Sequence, residues 1–176
     1  MNFIQVAYMT SLASLFLMTF PVAMAFAAAN DLFTMKIPNK VSLALVGGFL
    51  AVAALTPMPL ETFGMNLGIG FAVLALTFSL FALNLLGGGD AKLIAAGSIW
   101  IGSNHIFEYL AFIAVFGGIL ALAILVYRNW FPAQAFALPG WAQRLHSHKG
   151  PIPYGIAIAA GALVVFPRTD IFLSLV

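Results

Sequence analysis

Apolar residues fill this chain in long stretches that only a few charges interrupt. Runs free of Asp, Glu, Lys and Arg cover 1–30, 41–60, 62–89, 93–107, 109–127 and 150–167, lengths of 30, 20, 28, 15, 19 and 18 residues. A helix that spans a bilayer needs about 20 mostly apolar residues, within a range of about 17–25. Five of the runs meet that length, and the run at 93–107 falls short. None alternates apolar and polar positions with period two, so helices are predicted and a β-barrel is not. The spans are placed at 4–29, 41–56, 65–86, 90–103, 106–127 and 152–168. A further uncharged stretch, 129–143, holds Pro132, Pro139 and Gly140 together with Trp130 and Trp141, and is read as an interfacial loop. The expected fold class is an all-α membrane protein of six transmembrane helices, one domain over residues 1–176. There is no internal repeat and no low-complexity tract.

Composition and charge sharpen this picture. Of 176 residues, 63% are hydrophobic and 7% charged, with mean hydropathy +1.08. Soluble domains carry about 25% charged residues, so a soluble globular domain, a coiled coil and a disordered chain are all excluded. Seven Lys/Arg are too few for a nucleic-acid surface, despite the formal charge of +2. With no cysteine, disulfides, a thiol nucleophile and thiolate metal sites are ruled out. On the six-span reading, Lys36, Lys40, Lys92, Arg128, Arg144 and Lys149 fall in loops on one side. Arg168 lies on the other, with Glu61, Glu108 and Asp170. Basic loops favour the cytoplasm, so both termini are expected outside. Ala25-Phe26-Ala27 resembles a signal-peptidase site, but no Lys or Arg precedes it, and an uncleaved first span is expected.

Two acids remain, both at the cytoplasmic end of a span. Asp90 follows Gly87-Gly88-Gly89, where glycine permits positive φ and close backbone approach. Its helix is short: from Ala91 to Gly102 it rises about 18 Å, at 1.5 Å per residue. Asp90 then sits inside the boundary at a helix start, where the dipole favours a carboxylate. The plainer reading is a capping aspartate in an ordinary turn. Asp31 precedes Leu32-Phe33-Thr34-Met35-Lys36-Ile37-Pro38-Asn39, in which Pro38 can open a new helix. Alone, it reads as a helix-end residue meeting water or Lys36. Taken together, two carboxylates from distant segments on one face meet the requirement of an aspartyl protease. Like charges a few ångströms apart share one proton, so one acid activates water while the other donates to the scissile carbonyl. Which is which stays open, since a coupled pair titrates as a unit.

The segment Gly87-Gly88-Gly89-Asp90-Ala91-Lys92-Leu93 resembles the G-x-G-D-x-K-L motif of type IV prepilin peptidases, a family of intramembrane aspartyl proteases. Asp31 with Lys36 and Ile37-Pro38-Asn39 resembles the other half of that signature. Pro153-Tyr154-Gly155-Ile156-Ala157 is similar to the P-Y-G-x-A segment opening the family's last span. The resemblance implies Asp31 and Asp90 as catalytic residues, with Gly87, Gly88, Gly89, Lys92, Lys36, Pro38 and Asn39 as supporting positions. Pro153, Tyr154 and Gly155 are implied as possible substrate contacts. It further implies no cofactor and no metal, an inner-membrane location, prepilin and pseudopilin substrates, and contacts with membrane lipid and with other pilus-assembly proteins. The absent cysteines and short first loop resemble the peptidase-only, CpaA/TadV-like branch of tight-adherence (Tad/Flp) pili, so methyltransferase activity is not implied. The substrate's cut site is expected at the inner interface, reached through an opening between the first span, the Gly87–Gly89 turn and Pro151–Gly155.

Other features have plainer readings. Lys92 either sits near the acids or snorkels to the interface. His146 and His148 lack nearby carboxylates and give no metal geometry, and His105 lies in an outer loop. No G-K-[ST] follows the glycines, so they are not a P-loop. No G-x-S-x-G turn with His and Asp partners supports a serine hydrolase. Gly68, Gly70, Gly117 and Gly118 read as packing positions. Asn84 either lines the site or satisfies backbone. Two rival classes remain: a proton- or ion-coupled transporter using the acids as a relay, and a non-catalytic subunit of a pilus or secretion assembly.

Overall fold

The computed structural model describes residues 3–130, 139–147 and 150–176, and the described residues form helices and no strands. The helices are α1 (Phe3–Leu17), α2 (Thr19–Thr34), α3 (Asn39–Leu55), α4 (Leu60–Ala82), α5 (Gly88–Ile101), α6 (Ile106–Trp130), α7 (Gly140–His146), α8 (Gly155–Val165) and α9 (Asp170–Leu173), with a 3-10 turn over Phe166–Arg168. Three stretches are long and apolar enough to cross a bilayer: Ser11–Thr34, Leu60–Ala82 and Ile106–Trp130, with mean hydropathies of 2.0, 1.9 and 2.7. Asn39–Leu55 and Gly155–Arg168 are shorter apolar helices. The outward surface carries large exposed side chains such as Phe71, Phe78, Ile119 and Leu122. Such a surface suits lipid and not water.

Each outer helix buries one stripe at helical spacing. In α2 the stripe is Phe20, Ala23, Met24, Ala27 and Asp31, so the aspartate continues the core-facing row by one turn. In α3 it is Val41, Leu45, Gly48, Phe49 and Val52, and in α4 Asn66, Gly70, Val73 and Thr77. α5 differs, because Ala91 and every residue from Leu93 to Ile101 are buried. It is the central helix, packed against α3, α4, α6 and α8. Trp100 near its end meets Phe20, Phe49 and Phe166 at tilted and edge-on angles in an aromatic cluster, and its Nε1 donates to the Leu45 carbonyl at 2.8 Å.

Several element boundaries differ from the sequence expectations. The first expected span, 4–29, is broken at Met18. Pro21 lacks the N–H that the Leu17 carbonyl would otherwise receive, which weakens the helix there. α3 starts at Asn39 with extended Pro38 as its N-cap, which leaves only residues 35–38 between α2 and α3. The stretch read as an interfacial loop at 129–143 contains the end of α6 and the start of α7, while Pro132 lies outside the described residues. Arg128, read as a topology determinant, is buried: its Nε donates to the Leu145 carbonyl at 2.7 Å and its Nη2 to that of Gly150 at 2.9 Å. Arg144 donates to the Phe33 carbonyl, which ties α7 to the end of α2. Trp141 meets the Phe33 ring edge-on at 5.9 Å in the same place.

Candidate active site

Asp31 stands in the last full turn of α2 and is 6% exposed. Its Oδ2 accepts the Gly155 backbone N–H at 2.7 Å. Gly155 is the first residue of α8, so the carboxylate rests against that helix's free N–H groups and positive dipole end. A Cβ at Gly155 would lie 2.9 Å from Asp31 Oδ2 and 3.0 Å from Asp31 Cβ. The site therefore requires glycine for close approach. Beyond Asp31 the chain turns sharply through Met35, which takes a left-handed conformation (φ 55°, ψ 33°) and donates its N–H to the Asp31 carbonyl at 2.8 Å. A methionine there stores about 1–2 kcal/mol of backbone strain. Asn30 and Thr34 hold the turn. Asn30 Nδ2 donates to the Lys36 carbonyl at 2.6 Å, and Thr34 Oγ1 donates to the Asn30 carbonyl at 2.7 Å.

Asp90 is half-buried in the first turn of α5, three residues past the N-cap Gly87. Its carboxylate folds back over the backbone of the N-cap residue Gly87. A Cβ at Gly87 would lie 2.6 Å from Asp90 Oδ2, so the carboxylate occupies the space a side chain would fill. Glycine serves close approach here, and none of Gly87–Gly89 adopts positive φ. The left-handed residue is Asn84, exposed after the end of α4. The Asn84 N–H donates to Phe81 and the Leu85 N–H to Leu80, both at 2.9 Å, a Schellman ending. Asn84 therefore terminates a helix and does not line the site.

The two acids line one open cavity of about 350 Å³, with Met35, Lys36, Ile37 and Gly87–Gly89. Their charges are close enough to act on each other. Neither forms an ion pair with Lys or Arg among the described residues. The turns that carry them interlock. Gly89 packs on Ile37, where a Cβ would stand 3.1 Å from the Ile37 Cβ. Exposed Lys92 donates from Nζ to Asn39 Oδ1 at 3.0 Å. Lys92 thus joins the start of α5 to the start of α3, and does not contact Asp90. Pro38, the N-cap of α3, sits at the same junction.

Pro153 is buried and Tyr154 half-buried ahead of α8. The Tyr154 ring occupies the space left by Gly117 on α6, with its hydroxyl 3.5 Å from the Ile113 carbonyl. Tyr154 also lies within electrostatic reach of Asp90, although it does not line the cavity. It docks α8 on α6, and so fixes where the Gly155 N–H points. His146 packs edge-on against Tyr127, while His148 and Lys149 lie outside the described residues. His105 lies beyond the far end of α5, 3.2 Å from Glu108.

Residues 18–127 match the model of the type IV leader peptidase family. The chain belongs to the type IV leader peptidase family. The match covers both aspartate turns and ends before Pro153–Gly155. No curated protein and no solved structure matches the chain. Membership makes this a peptidase, and the apolar helices place it among membrane proteins. The peptidase's two turns come from segments 59 positions apart in the chain (31 to 90), and a third segment, at Gly155, completes the cradle of Asp31. Three contacts were not expected from the sequence: the Gly155 N–H to Asp31, the Asn30–Thr34 brace and the Tyr154–Gly117 fit. The signal available was Tyr-Gly at the opening of the last apolar run.

Proposed function

We propose that this peptidase is a multi-pass protein of the bacterial inner membrane that removes the leader from type IV and Flp-type prepilins and pseudopilins. Residues 1–176 act as one unit, with α2, α3, α4, α5, α6 and α8 as its six spans and both termini outside. The observation that carries the reading is one cavity shared by Asp31 and Asp90, at the ends of two apolar helices. With one proton between them, the ionised carboxylate takes a proton from water as its oxygen attacks the scissile carbonyl carbon. The protonated one donates to the carbonyl oxygen, and then a proton passes to the leaving amine as the C–N bond breaks. Gly87–Gly89 and the Gly155 N–H hold the carboxylates, while Lys36 sits at the cavity rim, where an extended substrate backbone enters. The peptidase-only, Tad-type assignment rests on the missing cysteines and the short first loop. A relay transporter is less well supported, because both acids lie at one end of the bundle and the chain belongs to a peptidase family.

Co-expression with a Flp-type prepilin and an immunoblot for the shift in size tests the proposal. Wild type should convert the prepilin, whereas Asp31→Asn and Asp90→Asn should leave it full-length at equal enzyme abundance. Conversion by either variant at the wild-type level would reject the assignment.

A further inference from the structure

A second cavity, of about 660 Å³, opens at the far end of α5 from Asp90. Ligand pockets commonly enclose about 300–1,000 Å³. It is lined by Trp100, Met65 and Asn66, and by the acids Glu61 and Asp170. Asn66 is 7% exposed, and its amide finds no hydrogen-bond partner among the described residues. Its amide keeps both donor and acceptor capacity open where it lines the cavity, so this group is poised for something that enters. Gly102, with φ at 72°, ends α5 against it, and a Cβ there would lie 3.1 Å from Asn66 Oδ1.

The charge around this cavity is one-sided. No Lys, Arg or His lines it. The nearby Arg168 and His105 both engage Glu108, which leaves Glu61 without a partner among the described residues. Asp170 accepts one bond, from Asn104 Nδ2 at 2.8 Å, and keeps further acceptor capacity. Carboxylate and amide oxygens above an apolar wall complement a donor-rich cation on an aliphatic stem, the chemistry of lysine and arginine. No group of three His, Cys, Asp or Glu residues stands here to favour a metal ion, among the described residues.

The 14 residues of α5 put the two cavities about 21 Å apart. A substrate helix lying along the bundle, with its cut site at the aspartates, would end near Glu61 and Asp170. We propose that the second cavity receives a lysine or arginine that follows the apolar helix of the prepilin, so that the peptidase grips its substrate at both ends of that helix. This rests on the prepilin reading above, and it assigns a further determinant of specificity, some 20 Å from the chemistry.

The test uses the full-length peptidase in detergent and two prepilins, one carrying Lys and one Gln in the first turn after the apolar helix. The Gln substrate should show a KM about three- to tenfold higher at unchanged kcat, the range of one or two partly exposed charge pairs. Glu61→Gln with Asp170→Asn should raise KM for the Lys substrate alike, and add nothing for the Gln substrate. Glu61→Lys should reverse the preference towards a Glu-bearing substrate. A photo-crosslinker at Thr62 should capture the post-helix turn of uncleaved prepilin in an Asp90→Asn background. Equal KM for Lys and Gln substrates, a variant effect that ignores substrate charge (as lipid occupancy would give), or no crosslink would each overturn the proposal. Crosslinking without cleavage by wild type would sustain this site and reject the peptidase chemistry. Cleavage without crosslinking or charge dependence would do the reverse.

Discussion

Replacing Gly155 by alanine perturbs the site by a single methyl group. The new Cβ would stand 2.9 Å from Asp31 Oδ2, 3.0 Å from Asp31 Cβ and 3.1 Å from Ile37 Cδ1. Ile37 can turn aside, but Asp31 is held in the core stripe of α2, so either the carboxylate rotates or the start of α8 retreats by several tenths of an ångström. Each movement lengthens the 2.7 Å bond from the Gly155 N–H. A hydrogen bond to a charged group is worth about 1.5–3 kcal/mol, and a misplaced catalytic group can lose about 10²-fold in rate. The expected result is a kcat about 10- to 100-fold lower with KM little changed. Gly118→Ala is the matched control, because a Cβ there meets nothing within 4 Å. The assay is leader removal from a purified prepilin, with abundance and melting temperature followed for each variant. Cleavage by Gly155→Ala within twofold of wild type, at normal folding, would refute the positioning argument.

Three further outcomes follow from other contacts. Lys92→Met and Asn39→Ala remove the same exposed bond, so a double-mutant cycle in cleavage or stability should show a coupling of about 0.5–1.5 kcal/mol. The acid limb of the pH–rate profile should stay in place for Lys92→Met, and a displaced limb would put the ammonium at the aspartates after all. The Tyr109 hydroxyl is fully enclosed with no hydrogen-bond partner. Tyr109→Phe should therefore raise stability by about 1 kcal/mol, or about 2–4 °C in Tm, and a fall in Tm would contradict that picture. Arg128→Met leaves the Leu145 and Gly150 carbonyls without their donor. Residues 139–147 should then be cut faster in limited proteolysis, and unchanged protection would show that the guanidinium does not hold α7.

Helix type and approximate position were legible from the apolar runs, because a bilayer tolerates little besides continuous helices. The short α5 was legible from the charge at Lys92 and the glycine at Gly102. Asp31 carried a further mark in the row Phe20, Ala23, Met24 and Ala27, whose helical spacing points it into the core. The break at Met18 was harder to see, since Pro21 is the sole local cue and the run is otherwise unbroken. The bond from Gly155 to Asp31 joins residues 124 positions apart, and no local pattern encodes such a pairing. Met35 adopts a conformation its side chain disfavours, imposed by the bonds of Asn30 and Thr34 to the turn. Asn84 had the right chemistry for a left-handed helix ending, yet its nearness to the glycines suggested a site residue. Arg128 counted as a loop charge until the returning chain at Leu145 and Gly150 covered it.

The central claim is that Asp31 and Asp90 act as one unit on one water. Single-turnover cleavage of a prepilin by Asp31→Asn, Asp90→Asn and the double variant tests it most directly. Groups that act together are strongly non-additive. The account predicts that each single substitution lowers the rate as far as both together, by about 10³-fold or more, with folding intact. A single variant that keeps a tenth of the wild-type rate, or losses that multiply in the double variant, would contradict it.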